Sequence, residues 1–280
     1  FDSIDTRERD YTVATGSAGL AWAIDEHWTL KGNLGRGFRA PSIFELFADG
    51  VHSGVAAFQK GDPSLTEETS LNADLGVNWQ GEQVEWSATI YQNRVNDYIY
   101  LANTGDTDAG SGLPIYAARQ DDARLQGIEL AGEWQFTRHW TLDGGFDAVR
   151  GELDDGRDLP LMPADSLRAG LAFDHAGNET FRDWHARLGV SHHFAKDAAG
   201  AYEPFAQFDT IPFGTASTDD YTLVSLGAGV SIPFQRQTEL RLTLQVDNLL
   251  DETYRDFLDT YKGYALGMGR NVRLRADLAF

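Results

Sequence analysis

Cysteine is absent from this 280-residue chain, which removes disulfides, thiolate zinc sites and cysteine nucleophiles from consideration. Long apolar runs are absent as well. No stretch approaches the roughly 18 consecutive apolar residues of a helical span, and only 42% of the residues are hydrophobic, so a bundle of membrane helices is excluded. Basic residues are few: 23 Lys and Arg face 43 Asp and Glu, a formal net charge of −20. With no basic stripe to displace the counterions of a phosphate backbone, nucleic acid is not an expected partner. Phe1-Asp2-Ser3 has no initiator Met, and nothing near it has the order of a signal peptide. The expectation is a removed leader or a fragment.

What the sequence does contain is alternation. From Asn271 to Phe280, Val272, Leu274, Ala276 and Leu278 fall on one face and Arg273, Arg275 and Asp277 on the other. Period two means a strand with one apolar and one wet face. The same reading recurs at Leu240–Val246, Val224–Ile232, Trp184–Val190, Ile128–Phe136 and Leu71–Trp79, and more weakly near 11–24, 28–37, 84–101, 140–149 and 166–173. About eleven antiparallel strands are predicted, so the fold class is all-β.

A soluble sandwich and a membrane barrel both produce this pattern, and the connections discriminate between them. Short turns at Asp25–His27, Gly81–Gln83, Thr137–His139, 174–183 and Gln235–Thr238 alternate with long segments at 38–69, 102–114, 150–165, 195–219 and 250–268. Outer-membrane barrels show short turns on one rim and long loops on the other. Aromatic residues at strand ends near the short turns (Trp28, Trp79, Phe136, Trp140, Trp184, Phe234) fit an interfacial girdle. Wet faces rich in Arg, Asp and Glu would be costly in a dry core. The prediction is an antiparallel transmembrane β-barrel in a Gram-negative outer membrane, its apolar face meeting lipid. Because an odd strand count does not close a bacterial single-chain barrel, the chain reads as the C-terminal half of a larger one.

Two blocks carry a family resemblance. Gly35-Arg36-Gly37-Phe38-Arg39-Ala40-Pro41-Ser42-Ile43-Phe44-Glu45-Leu46-Phe47 resembles the strand-to-loop stretch of TonB-dependent outer-membrane receptors. So does the end of the chain, with Asp247-Asn248-Leu249-Leu250-Asp251, Tyr254-Arg255, Gly269-Arg270-Asn271 and the closing Phe280. The resemblance implies that residues 1–280 are the C-terminal portion of a 22-stranded barrel whose plug domain and N-terminal strands are missing. It also implies active import, coupled through that plug to the TonB-ExbB-ExbD system, and recognition of Phe280 by barrel-assembly machinery. Read physically, Ser42-Ile43-Phe44-Glu45 after Pro41 is a capping box that starts a short helical turn.

The next stretch narrows the resemblance. Glu45 through His52, then Phe58, Gly61, Asp62, Leu65, Glu68 and Tyr98-Ile99-Tyr100, looks like the zinc-uptake branch. His52 matches that branch's extracellular His, whereas its acidic position is Gln59 here. Imidazole with carboxylate suits Zn²⁺, and the candidate metal-capturing residues are His52 with Asp49, together with His192 and His193 at the outer rim. Only one of His192 and His193 can face the lumen, since adjacent strand residues point opposite ways. Acidic loops raise local cation concentration, although acidity equally suits a saline habitat. No resident cofactor is expected. A siderophore or other metal-chelate receptor is the alternative cargo class, and a passive porin a more distant one. No Ser-His or paired-carboxylate spacing, phosphate loop or HExxH helix supports an enzyme.

Overall fold

The computed structural model describes residues 10–53, 57–197, 217–235, 238–259 and 265–279. Its elements are β1 (Gly16–Ala23), β2 (Trp28–Arg39), α1 (Ile43–Phe47), β3 (Asp49–His52), β4 (Ala57–Lys60), β5 (Glu68–Gln80), β6 (Val84–Thr107), β7 (Pro114–Gln135), β8 (Trp140–Leu153), β9 (Ser166–Gly177), β10 (Arg182–His193), β11 (Tyr221–Gln235), β12 (Thr238–Asp247) and β13 (Asn271–Ala279). Eleven strands form the wall in the order β1-β2-β5-β6-β7-β8-β9-β10-β11-β12-β13, every neighbouring pair antiparallel. Among the described residues, no helix is long and apolar enough to cross a membrane.

The register carries the predicted alternation across the wall. Leu244 lies opposite Leu274, Leu240 opposite Leu278, and Leu226 opposite both Leu188 and Val246. On the other face Arg241 lies opposite Asp277 and Gln245 opposite Arg273. Because side chains alternate with period two, the register of each pair fixes which face every residue takes between the local shifts at Val95/Tyr98, Asn103/Thr107, Arg182/His185 and Pro233/Gln235. Leu274 is 77% exposed and Leu20 72% exposed, which is tolerable only where the solvent is hydrocarbon. Near the short turns, Trp28 meets Trp86 edge-on with ring centroids 5.4 Å apart, and Trp140 lies 4.9 Å from Phe173. These rings mark the inner membrane boundary.

The wet face is built from ion pairs laid over glycines. Arg187 on β10 reaches across β9 to Asp143 on β8, with Nη1 to Oδ1 and Nη2 to Oδ2 both 2.7 Å. Gly170 lies directly beneath, where an added Cβ would meet Asp143 Oδ1 at 2.6 Å and the guanidinium carbon at 2.8 Å. Tyr91 leans over Gly127 in the same way, where a Cβ would meet the phenol Cζ at 2.5 Å. Arg168–Asp147 (3.2 Å) and Arg273–Asp247 (2.7 Å) extend the series.

Above the wall the structure departs from the sequence reading in two places. The stretch 102–114 is not a long loop: β6 and β7 run on as a ribbon to Thr107 and from Pro114, leaving a tight turn between them. At 24 residues, β6 is more than twice the roughly 9–11 residues that cross the bilayer. The 38–69 loop holds α1 and the β3–β4 hairpin, and β4 pairs in parallel with β7, Phe58 opposite Ile115. Neither departure carried a clear periodicity signal, because both faces of the ribbon are covered by protein. Leu46 and Leu65 pack with Ile99 and Ala118 in one cluster, and Leu153 and Leu159 pack with Tyr100, Ala102 and Ala123 in another. These buried apolar clusters therefore lie at the outer rim and not in the wall. Phe280, read as a recognition signal, lies outside the described residues.

One network pins the rim. Arg39, at the top of β2, donates to Glu68 through Nε (2.8 Å) and Nη2 (2.6 Å), and to both Glu45 oxygens through Nη1. Glu68, which is buried, also accepts the Ile99 N–H at 2.6 Å. The capping box forms as read, Ser42 N–H donating to Glu45 and Glu45 N–H to Ser42 Oγ. Burial alone would push the Glu45 carboxyl up, but the hydrogen bonds from Arg39 and Ser42 outweigh it and hold it below the usual carboxylate range. Gly61 completes the fit, since a Cβ there would meet the Phe47 nitrogen at 2.5 Å.

Four outcomes follow from this packing. Gly170→Leu in the full-length receptor should expel Arg187 from Asp143 and cost about 1–3 kcal/mol by overpacking, read as a lower temperature for loss of the folded band in heat-modifiability electrophoresis. Gly16→Ala, with nothing within 4 Å of its Cβ, should leave that temperature unchanged. Arg39→Met strands Glu68 and should open the 40–67 segment to protease at a cost of about 2 kcal/mol, below that of a fully buried pair because Arg39 is 44% exposed. Since the Glu45 carboxyl is depressed in the folded state, its contribution is present at neutral pH and lost as pH falls below roughly 4. Protease protection of the segment should weaken over that interval.

Candidate functional site

The residues singled out from the sequence all lie at the outer rim, but in separate places. Asp49 and His52 are both exposed on β3, three positions apart, so the strand directs them to opposite faces. In register, Asp49 faces Lys60 and His52 faces Ala57. The hairpin that bears them docks on β7, with β8 and β9 between it and β10. His192 and His193 end β10 and divide between its faces. His192 shares the apolar side with Val190 and Leu188; its Nδ1 is 2.9 Å from Thr222 Oγ1, and its ring meets Phe194 edge-on at 4.6 Å. His193 takes the wet side. Among the described residues no group of three or more His, Asp and Glu side chains could hold a metal ion. Coordination by His52 or His193 would need ligands from elsewhere.

His193 is instead part of an assembly that sequence spacing does not reveal. Its ring stacks on Tyr221 at 4.6 Å and 14°, and Tyr221 stacks on Tyr254 at 4.5 Å. Tyr221 donates its hydroxyl to Asp256 at 2.9 Å. The three rings come from β10, β11 and the segment after β12, so no local motif links them. In the sequence Tyr254 stands out only within the Asp247-to-Arg270 resemblance. That block holds the stack in place: Asn248 Nδ2 donates to the carbonyls of Glu252 (2.8 Å) and Met268 (3.1 Å), and Asp251 accepts the Arg270 N–H at 2.8 Å. A Cβ on Gly267 would collide with the Tyr254 ring. Gly267 therefore closes against the outer face of the stack.

The rim also holds a part-buried polar pair. Tyr100, at the base of the ribbon, donates to Asp121 at 2.5 Å. Burial and then Asp121 push its hydroxyl up to about 12, so it stays a neutral donor. The stack ends at the mouth of the wall in the half-buried imidazole of His193, with the Asp256 carboxylate behind it. It is a surface for a large polar or ring-bearing ligand more than a cage for a bare ion.

The family described as TonB dependent receptor-like, beta-barrel matches residues 1–249. The Heme/hemopexin utilization protein C of Haemophilus influenzae (strain 86-028NP) is 26% identical over 281 residues, covering 93% of this chain and 36% of that protein. The Vitamin B12 transporter BtuB of Photobacterium profundum is 23% identical over 257 residues, covering 90% and 36%. Among solved structures, the copper transporter OprC superposes with a TM-score of 0.74 at 22% identity, over 95% of this chain and 39% of its own. The siderophore receptor PirA from Acinetobacter baumannii gives 0.64 at 20%, over 95% and 40%. The chain thus spans little more than a third of the length of these relatives. With the eleven-stranded wall, the girdle and the match over most of its length, the chain belongs to the TonB-dependent receptor β-barrel family of the Gram-negative outer membrane.

Proposed function

We propose that this chain is the C-terminal wall of a receptor that imports a metal complexed by an organic chelator, and that the His193–Tyr221–Tyr254 stack contacts that ligand on the lumen side. The stack is the observation that carries the reading. Tyr221 is buried between the other two rings and Gly267 lies against Tyr254, so the half-buried His193 ring at the open end of the stack is what meets a conjugated or ring-bearing ligand, worth about 0.5–1.5 kcal/mol for that ring pair beyond area burial. The names of the relatives, which speak of heme, siderophores and vitamin B12 as well as copper, support a ligand larger than a lone ion. Zinc capture by His52 is a narrower reading. The absence of a ligand cluster among the described residues and Gln59 at the acidic position give it less support.

Transport in this reading requires no covalent chemistry in the chain. The rim captures ligand, and a plug outside this sequence, moved through TonB-ExbB-ExbD, releases it inward. The relatives bear the names of receptors and transporters and not of enzymes. The wall supplies the lumen and the rim supplies selectivity.

Purified full-length receptor, titrated with hemin, a ferric siderophore, cyanocobalamin and Zn²⁺ while tryptophan fluorescence is followed, tests the proposal. One chelate should bind, and His193→Ala combined with Tyr254→Ala should weaken it about tenfold without changing the heat-modifiable band. Saturable Zn²⁺ binding that His52→Ala abolishes and the double variant leaves intact would hand the cargo to zinc. Uptake of the bound ligand should cease when the proton gradient is collapsed. Flux that persists and rises linearly with outside concentration would instead identify a porin.

A further inference from the structure

Below the aromatic stack the wet face of the wall opens into a cavity. Ser166, His193 and Tyr221 form one row across β9, β10 and β11, and the next inward row down is Arg168, Ser191 and Leu223. Two residues along a strand separate the rows by about 7 Å. Gly189 and Ser225 lie one row lower still. A space of about 440 Å³ lies over these lower rows. It is open because its floor is short: Gly189 has no side chain, and a Cβ there would meet Ser225 Oγ at 2.7 Å.

The polar groups around the cavity are of one kind. Asp143 is held by Arg187 at 2.7 Å, and Asp247 accepts from Arg273 at 2.7 Å and from Gln245 Nε2 at 2.9 Å. Asp147, at its edge, accepts the Ser166 hydroxyl at 2.9 Å, and Asp256, behind the stack, accepts from Tyr221 and from the Leu258 N–H. Each of these carboxylates is therefore engaged. Elsewhere on the same wet face Asp74 and Glu129 stand without an ion pair among the described residues. The groups left unused at the cavity are donors. The hydroxyls of Ser191 and Ser225 have no hydrogen-bond partner among the described residues. Arg168, its side chain 62% exposed and laid over Gly145, meets Asp147 through Nη1 at 3.2 Å, which leaves Nε and Nη2 available.

We propose that this cavity receives a carboxylate of the imported ligand, with Arg168 as the charged donor and Ser191 and Ser225 as neutral ones. Its role rests on the stack being a ligand contact: while the ring of the ligand lies on His193, an acidic arm reaches down one row to Arg168. The cargo narrows accordingly to a ring-bearing metal chelate with a free carboxylate. A guanidinium matches the two oxygens of a carboxylate, and hydroxyls satisfy the lone pairs that remain. A cationic arm would meet Arg168 and find the neighbouring carboxylates already paired. An uncharged apolar arm would cover the guanidinium without replacing its water.

The test compares hemin with hemin dimethyl ester, which keeps ring and metal and masks both carboxylates, by tryptophan fluorescence on the purified full-length receptor. The parent should bind hemin about tenfold more tightly than the ester. Arg168→Gln should lower hemin to the level of the ester and leave the ester where it was, whereas His193→Ala should weaken both alike. Should Arg168→Gln fail to give a heat-modifiable band, the combined variant S191A/S225A decides, because it breaks no ion pair: about threefold weaker hemin with the ester unchanged supports the cavity, and no difference between the two ligands refutes it. Equal affinity of the parent for hemin and ester, both weakened by His193→Ala, would overturn the cavity and leave the stack standing. So would tighter binding of a ligand without a free carboxylate, such as cyanocobalamin or a ferric hydroxamate. Binding of no chelate at all would remove the stack and the cavity together.

Discussion

The antiparallel main-chain ladder governs everything else in this chain. In hydrocarbon no water is present to satisfy a backbone amide, so the strands must satisfy one another, and the ladder that does so also decides the side on which each residue emerges. From Gly16 opposite Arg36 to Asn271 opposite Asp247, antiparallel pairing runs through eleven strands, shifting register locally at Val95/Tyr98, Asn103/Thr107, Arg182/His185 and Pro233/Gln235. Leucine meets leucine on one face and arginine meets aspartate on the other because of that register. The glycines of the wet face follow from it too. With neighbouring strands only about 4.8 Å apart, a long side chain such as Arg187 can reach across a strand only where the residue beneath it has no Cβ.

Much of this was legible in the sequence because period two is a strong signal wherever one face meets lipid and the other water. The runs at Leu240–Val246 and Val272–Leu278 match their strands almost to the residue. The capping box at Ser42 is equally local, and it formed. Legibility stops where that contrast stops. The outer halves of β6 and β7 are covered on both faces, by α1 with Leu65 on one and by the segment around Leu159 on the other. Tyr98-Ile99-Tyr100-Leu101-Ala102 therefore shows no alternation to read.

The candidate site divides in the same way. His52, Asp49, His192 and His193 could be found as residue types at the rim, and the parity rule allows only one of the two β10 histidines to face inward, which in the structure is His193. What parity cannot supply is the company that residue keeps. Tyr221 and Tyr254 join His193 through the pairing of β10 with β11 and a turn held by Asn248, contacts that depend on tertiary closure. The short motif around Asn248 reads as a family marker in the sequence and as a loop clamp in the structure.

The parallel contact between β4 and β7 has a mechanical consequence. The segment from β2 to β5 leaves the wall, passes across the protruding ribbon and attaches to its far edge through Phe58, Gln59 and Lys60. It thereby straps four wall strands together above the membrane, riveted at one end by Arg39 and seated at the other by Gly61. A rim strapped in this way resists independent fluttering of its parts. A ligand pressing on the hairpin would load the ribbon as a unit, and the stiffness of the mouth would be set by a few rivets rather than by the length of the loops.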